Sequence, residues 1–150
     1  MKLAVGSDER THLTDVVIEV FREKGHQLTL FGPLKDEELP WPVVAQQLAE
    51  SVVSGETQEG ILFCWTGTGA SIAANKVSGI RAALVGDAET AKGARRWNNA
   101  NVLVMSLRAT SKAIAEEIID AWFQEHMRPE EQACIELVTE IERKYARTPE

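Results

Sequence analysis

One stretch brings several groups capable of chemistry together: FCWTGTGASIAANK, Phe63–Lys76. Cys64 stands where an apolar run ends. A thiol beside backbone N–H groups has a lowered pKa and serves as base or nucleophile. A cysteine packed among apolar neighbours does neither, and the residue type alone leaves both readings open. The run Thr66–Ala70, with Gly67 and Gly69, can aim several N–H groups at one point just ahead of a helix. That suits a phosphate, an oxyanion formed during a reaction, or a plain tight turn. The spacing is neither a Walker A loop nor GxGxxG, so a nucleotide-binding domain rests on fold analogy alone.

Other candidates are fewer. Asp8 ends an apolar run and suits either a hydroxyl-rich ligand or the cap of the next helix. Trp41, between Pro40 and Pro42, is either a pocket cover or a packed loop anchor. Asp36, Glu37 and Glu38 read as a solvated surface. His12, His26 and His126 have no metal-type spacing with each other or with a cysteine. His12 falls near Asp8 but reads as a surface residue at a helix entry. Cys134 fits an apolar stripe and takes no chemical role.

These residues need a scaffold. The 150 residues suffice for one domain, read as 1–150, with a full core. A net charge of −7 argues against nucleic acid and anionic membranes as partners, but not against an anionic small molecule. Two cysteines form no disulfide framework, and no apolar run has the length of a membrane span. The N-terminus turns polar too soon for a signal peptide, so the expected location is cytoplasmic.

Short apolar runs predict strands at Lys2–Asp8, Leu28–Gly32, Gly60–Trp65, Ile80–Gly86 and Asn101–Ser106. Helical stripes lie between them: Leu13, Val16, Val17, Val20 and Phe21, ended by Lys24–Gly25; then Val44, Ala45, Leu48, Ala49, Val52 and Val53. Ser71–Val77 and Ala88–Trp97 are shorter helices, and Pro33–Pro42 a loop. Ile114, Ala115, Ile118, Ile119 and Trp122 mark a longer helix. A last one opens at Pro129, with Cys134, Ile135, Val138, Ile141 and Tyr145 on its apolar side. Strict alternation predicts a five-stranded parallel sheet in a three-layer α/β/α sandwich, with an extra C-terminal helix. Ligands then bind beyond the strands' carboxyl ends. If the first and third strands are neighbours, Asp8 and Cys64 converge there.

The segments KLAVGSD, EKGH, SGE at Ser54–Glu56, CWTGTGASIAANKVSGIRAAL, NNANVLVMSLR and AEEIIDAW resemble the type B ribose-5-phosphate isomerase family. That family includes the galactose-6-phosphate isomerase subunits, and the resemblance covers nearly all of the chain. It implies a Rossmann-like domain and aldose–ketose isomerisation of a sugar or sugar phosphate through a cis-enediolate, with no metal or organic cofactor. It also implies a homodimer or dimer of dimers with pockets at the subunit interface. Cys64 matches the base used by one branch; the other branch's glutamate is here Ala70. The backbone of Gly67, Thr68, Gly69, Ala70 and Ser71 matches the enediolate-stabilising loop. Thr66 and Ser71 match positions that support proton handling, Asp8 a sugar-hydroxyl ligand, and Asn98 and Arg108 pocket-lining positions.

The departures point to a changed substrate. Glu9 and Arg10 replace a histidine and an alanine. Trp97 stands where the family has its ring-opening histidine, Trp65 where it has a small residue, and Trp41 where it has a tyrosine. The C-terminal phosphate-binding arginines are absent: Glu131 and Ile135 occupy about their places, with Arg128 nearby. Loss of two charge-assisted phosphate contacts, each worth ~1.5–3 kcal/mol, disfavours ordinary ribose 5-phosphate. The alternative is a non-catalytic or partner-dependent subunit completed by a homologous chain.

Overall fold

The computed structural model describes residues 1–146. Strands β1 (Lys2–Ser7), β2 (Gln27–Phe31), β3 (Glu59–Cys64), β4 (Ala82–Leu84) and β5 (Val102–Ser106) form one parallel sheet in the order β2-β1-β3-β5-β4. Helices α1 (His12–Glu23), α2 (Trp41–Val53), α3 (Thr68–Ala74), α4 (Ala88–Asn98), α5 (Lys112–Gln124) and α6 (Gln132–Tyr145) follow in turn. The chain moves outward from β1 to β2, then returns to place β3 on β1's other side. The winding direction therefore reverses between β1 and β3, and a crevice opens at their carboxyl ends.

Each face of the sheet has its own core. Leu13, Val17 and Phe21 of α1, Ala91 and Ala94 of α4, and Ile118, Ile119 and Trp122 of α5 cover one face. Val44, Leu48 and Val52 of α2 and Ala70 and Ala74 of α3 cover the other, against Ala4, Leu62, Cys64 and Val104. The fold class is that of a Rossmann-like α/β/α sandwich.

Several boundaries differ from the sequence reading. In α1 the fully buried stripe is Leu13, Thr14, Val17, Ile18 and Phe21, while Val16 and Val20 are only half-buried. Val53 is exposed at the end of α2. The proline loop holds a 3-10 turn, Gly32–Lys35, and Trp41 is already the first residue of α2. Pro40 and Pro42 fit there because the first helical N–H groups need no partner within the helix. β4 has only three residues and is an edge strand, paired on one side with β5. Asn75 covers its free side: the side chain donates to the Ala82 carbonyl (2.9 Å) and accepts from the Ala82 N–H (2.8 Å).

The expected core stripe of α6 is corrected. Ile135 is buried, whereas Cys134, Val138, Ile141 and Tyr145 are exposed. Helical period reveals an apolar face, but not whether the same chain covers it.

Candidate active site

The site is built where β1 and β3 end. β1 pairs with β3 as far as Ser7 with Phe63, so the next step of the register sets Asp8 beside Cys64. Gly6 faces Val44 and Leu48 of α2, and Leu62 and Cys64 belong to the same core face. Strand alternation thus directs Asp8 and Cys64 to the same side. Cys64 is buried at 6% exposure, with Ala70 packed in the same cluster.

Asp8 does not cap α1. Thr11 does, in a reciprocal pair with Thr14. The Asp8 carboxylate is therefore left over from the helix start. Its inner oxygen, Oδ1, is buried and has no hydrogen-bond partner among the described residues. Burial raises the Asp8 pKa above the usual carboxylate value; a backbone hydrogen bond opposes this and the charge of Glu9 adds to it.

The turn after Cys64 is shorter than the sequence suggests. α3 begins at Thr68, so Trp65, Thr66 and Gly67 alone connect strand and helix. Gly67 is the residue before the helix, with φ +79°, a conformation that glycine adopts without strain. Among the described residues, the N–H groups of Thr66, Gly67, Thr68, Gly69 and Ala70 have no hydrogen-bond partner. The Thr66 and Thr68 hydroxyls bond each other at 2.7 Å. Ser71 is half-buried on the first turn, and its N–H donates to the Gly67 carbonyl (3.1 Å). Ala70 offers only its backbone, since its methyl lies in the core.

A substitution at Gly67 tests this turn. A Cβ there would lie 2.4 Å from Leu84 Cδ1 and 3.4 Å from the Met105 carbonyl carbon. Leu84 can move its methyl aside, so the left-handed backbone dominates the cost. Gly67→Ala is expected to destabilise the fold by ~1–2 kcal/mol, read as a drop in melting temperature. An unchanged melt would show that the turn is not held in this conformation.

Two indoles flank the turn. Trp41 lies over Gly69: a Cβ on Gly69 would meet its ring at 3.1–3.3 Å, so the bare glycine admits the ring. Trp65, directly after the cysteine, is 58% exposed. On the β1 side lies a cavity of about 480 Å³ lined by Asp8, Glu9, Arg10, Pro33, Asp36 and Glu38. Arg10, its one cation, is engaged by Asp15 at 2.9 Å. Arg108 follows β5 with an exposed side chain, and its N–H donates to the Trp65 carbonyl (3.0 Å). The structure thus sets Asp8, Cys64, Trp65 and the Thr66–Ser71 turn at the carboxyl edge of the sheet, with Trp41 over Gly69 and Arg108 just after β5, while Glu9 and Arg10 line the cavity beside Asp8.

It does not bring Trp97 and Asn98 there. α4 runs antiparallel to the strands, so its last residues lie toward the sheet's amino edge, opposite Cys64. Trp97 packs back on Gly93 and lines, with Asn98, a groove of about 1340 Å³ shared with Leu84, Cys134, Val138 and Ile141. Among the described residues no cluster of histidine, cysteine and carboxylate side chains suits a metal ion. No helix there is long and apolar enough to cross a membrane. The sequence reading missed Ser106, whose hydroxyl donates to the Trp65 carbonyl at 2.9 Å. No local signal marks it, because the contact joins the end of β5 to the turn after β3, 41 residues away along the chain.

Comparison with known proteins agrees with this architecture. The Ribose/Galactose Isomerase family matches residues 3–139. Ribose-5-P isomerase B of Listeria innocua is 34% identical over 146 residues, 96% of this chain and 99% of that one. D-erythrulose-4-phosphate isomerase of Pectobacterium atrosepticum is 39% identical over 124 residues, 81% and 82% of the two chains. The solved Clostridium thermocellum ribose-5-phosphate isomerase B superposes with a TM-score of 0.91 at 33% identity, covering 97% of this chain and 100% of that one. The chain belongs to the ribose/galactose isomerase family.

Proposed function

We propose that this sugar-phosphate isomerase interconverts a short, open-chain aldose and ketose through a cis-enediolate, with Cys64 as the base. The observation that carries the reading is that Cys64 ends β3 one register step beyond Ser7–Phe63, next to Asp8, and runs directly into the Thr66–Ala70 turn with its unpartnered N–H groups. The Cys64 sulfur removes the proton from the carbon next to the carbonyl. Negative charge moves onto the carbonyl oxygen, where the N–H groups stabilise it. The proton then returns to the former carbonyl carbon, and the adjacent hydroxyl becomes the new carbonyl. Asp8 binds a substrate hydroxyl, and Thr66 and Ser71 assist proton movement between the two oxygens.

Substrate size follows from what crowds the crevice. Trp65 and Trp41 narrow it, and the ring-opening histidine of the family is here Trp97. A four-carbon sugar phosphorylated on its last hydroxyl cannot close a furanose ring, so it needs no ring-opening acid. The name of the Pectobacterium relative supports a substrate of that length. The phosphate would point toward Arg108, away from the four carboxylates of Asp8, Glu9, Asp36 and Glu38.

The reading includes a second copy of this chain. Leu84, Trp97, Val138, Ile141 and Tyr145 form an exposed apolar surface along the groove, which suits a homodimer contact. A second copy would also give Trp97 and Asn98 a route to a crevice that they cannot reach within one chain.

An assay of purified protein, with its mass measured in solution, checks this. D-erythrulose 4-phosphate, ribose 5-phosphate and galactose 6-phosphate serve as substrates. A dimer with highest kcat/KM on the four-carbon substrate is expected. Preference for either of the larger sugars would overturn the substrate assignment. Activity appearing only with a homologous co-purified chain would favour the partner-dependent subunit.

A further inference from the structure

β5 ends in register with β3, Ser106 opposite Cys64. Beyond that pair the two chains remain tied in an unusual way. The Cys64 carbonyl accepts from the Leu107 N–H (3.0 Å), and the next carbonyl, that of Trp65, accepts from the Arg108 N–H (3.0 Å). Successive carbonyls of a regular strand turn to opposite sides, but here both turn toward β5. The Ser106 hydroxyl reinforces the second contact, donating to the Trp65 carbonyl at 2.9 Å and accepting from the Ala109 N–H at 3.2 Å.

This fixes the orientation of one peptide. In a trans peptide the N–H points opposite to the C=O, and the described residues contain no cis bond. With the Trp65 carbonyl held toward β5, the Thr66 N–H faces the β1 side, where Asp8 stands. The turn cannot settle deeper, because Gly67 already rests on the Met105–Ser106 backbone: a Cβ there would lie 3.4 Å from the Ser106 nitrogen. The hydroxyl's proton is committed to Trp65, so Ser106 supports the crevice without exchanging a proton with the substrate.

We propose that Ser106 is a positioning residue for isomerisation: its hydroxyl holds the Trp65–Thr66 peptide so that the Thr66 N–H faces the substrate carbonyl and the Trp65 indole stands at the crevice mouth. This rests on the reading of the Cys64 crevice as the active site.

Ser106→Ala, Ser106→Thr and Cys64→Ala are compared with the unaltered protein, using D-erythrulose 4-phosphate and ribose 5-phosphate. Loss of one neutral hydrogen bond to a group acting in the transition state should lower kcat about tenfold in Ser106→Ala, with KM within about twofold. The melting temperature should stay within a few degrees, and Ser106→Thr, which restores the hydroxyl, should recover kcat. Full kcat in Ser106→Ala overturns the proposal. So does a loss in which KM and melting temperature change together and threonine brings no recovery. Cys64→Ala separates the two ideas. If Cys64→Ala is inactive while Ser106→Ala is fully active, the positioning role alone fails. If Cys64→Ala is fully active, or the unaltered protein turns over neither substrate, the active-site reading fails and the proposal with it.

Discussion

Cys64→Ala is expected to lower kcat by ~10²–10⁴-fold, the usual contribution of a positioned base. Two features make the expectation strong. Ala70 removes the carboxylate that the other branch of the family is expected to use, and its methyl is buried in the core. In the proposed reading the ionisable neighbour across the strand ends, Asp8, binds a substrate hydroxyl, which leaves Cys64 as the base. Folding should survive, because alanine is smaller and Cys64 packs among aliphatic side chains without a side-chain hydrogen bond among the described residues. Steady-state kinetics beside a thermal melt checks both halves. A variant with unaltered kcat would remove Cys64 from the chemistry. Cys64→Ser is informative too: its hydroxyl fills the same place but is far less acidic, so it should be nearly as impaired as alanine.

The second large effect lies at the other edge of the sheet. Glu59, at the start of β3, accepts from Arg95 Nη2 through Oε1 (2.7 Å) and from Trp122 Nε1 through Oε2 (2.7 Å). Arg95 also stacks on the Trp122 ring, 4.9 Å from its centroid, and donates to the Ala100 carbonyl. The Glu59 and Arg95 side chains are only 11% and 12% exposed. One carboxylate thus ties β3 to α4 and α5. Removing one partner of such a pair leaves the other charge buried without compensation. Glu59→Ala is therefore expected to destabilise the protein by ~3–5 kcal/mol. In a chain of this size that lowers the melting temperature by roughly 10 °C. Chemical denaturation gives the free energy directly, and a loss below ~1 kcal/mol would show that the network is not stabilising in this sense. Glu59→Gln keeps an acceptor for Trp122 and should fall between.

The two edges differ in how far the sequence foretold them. The carboxyl edge carries its own signals: an apolar strand, a cysteine, two glycines and a helix within a short span. Local chemistry and the family resemblance both act over that span, so Cys64 and its turn could be placed before the fold was known. The amino edge has no such signal. Glu59 precedes the predicted strand Gly60–Trp65, Arg95 falls inside the predicted helix Ala88–Trp97, and Trp122 ends the stripe of the longer helix, with nothing local to link them. Their association requires three elements to meet, 36 and 63 residues apart along the chain.

The sequence by itself determined the alternating elements, the parallel sheet they must form and the position of Cys64 at a strand exit, because these follow from periodicity and near-neighbour chemistry. The tertiary structure decided the rest. It placed Asp8 beside Cys64 through the β1–β3 register and freed it by giving the α1 cap to Thr11. It sent Trp97 to the far end of α4, since a helix between parallel strands must run backward. It left Val138, Ile141 and Tyr145 uncovered, although their spacing is that of a core stripe. It also set Ser106 under the Trp65 carbonyl. Each of these depends on which elements become neighbours, and a pattern within one element records only which face seeks cover, not what will provide it.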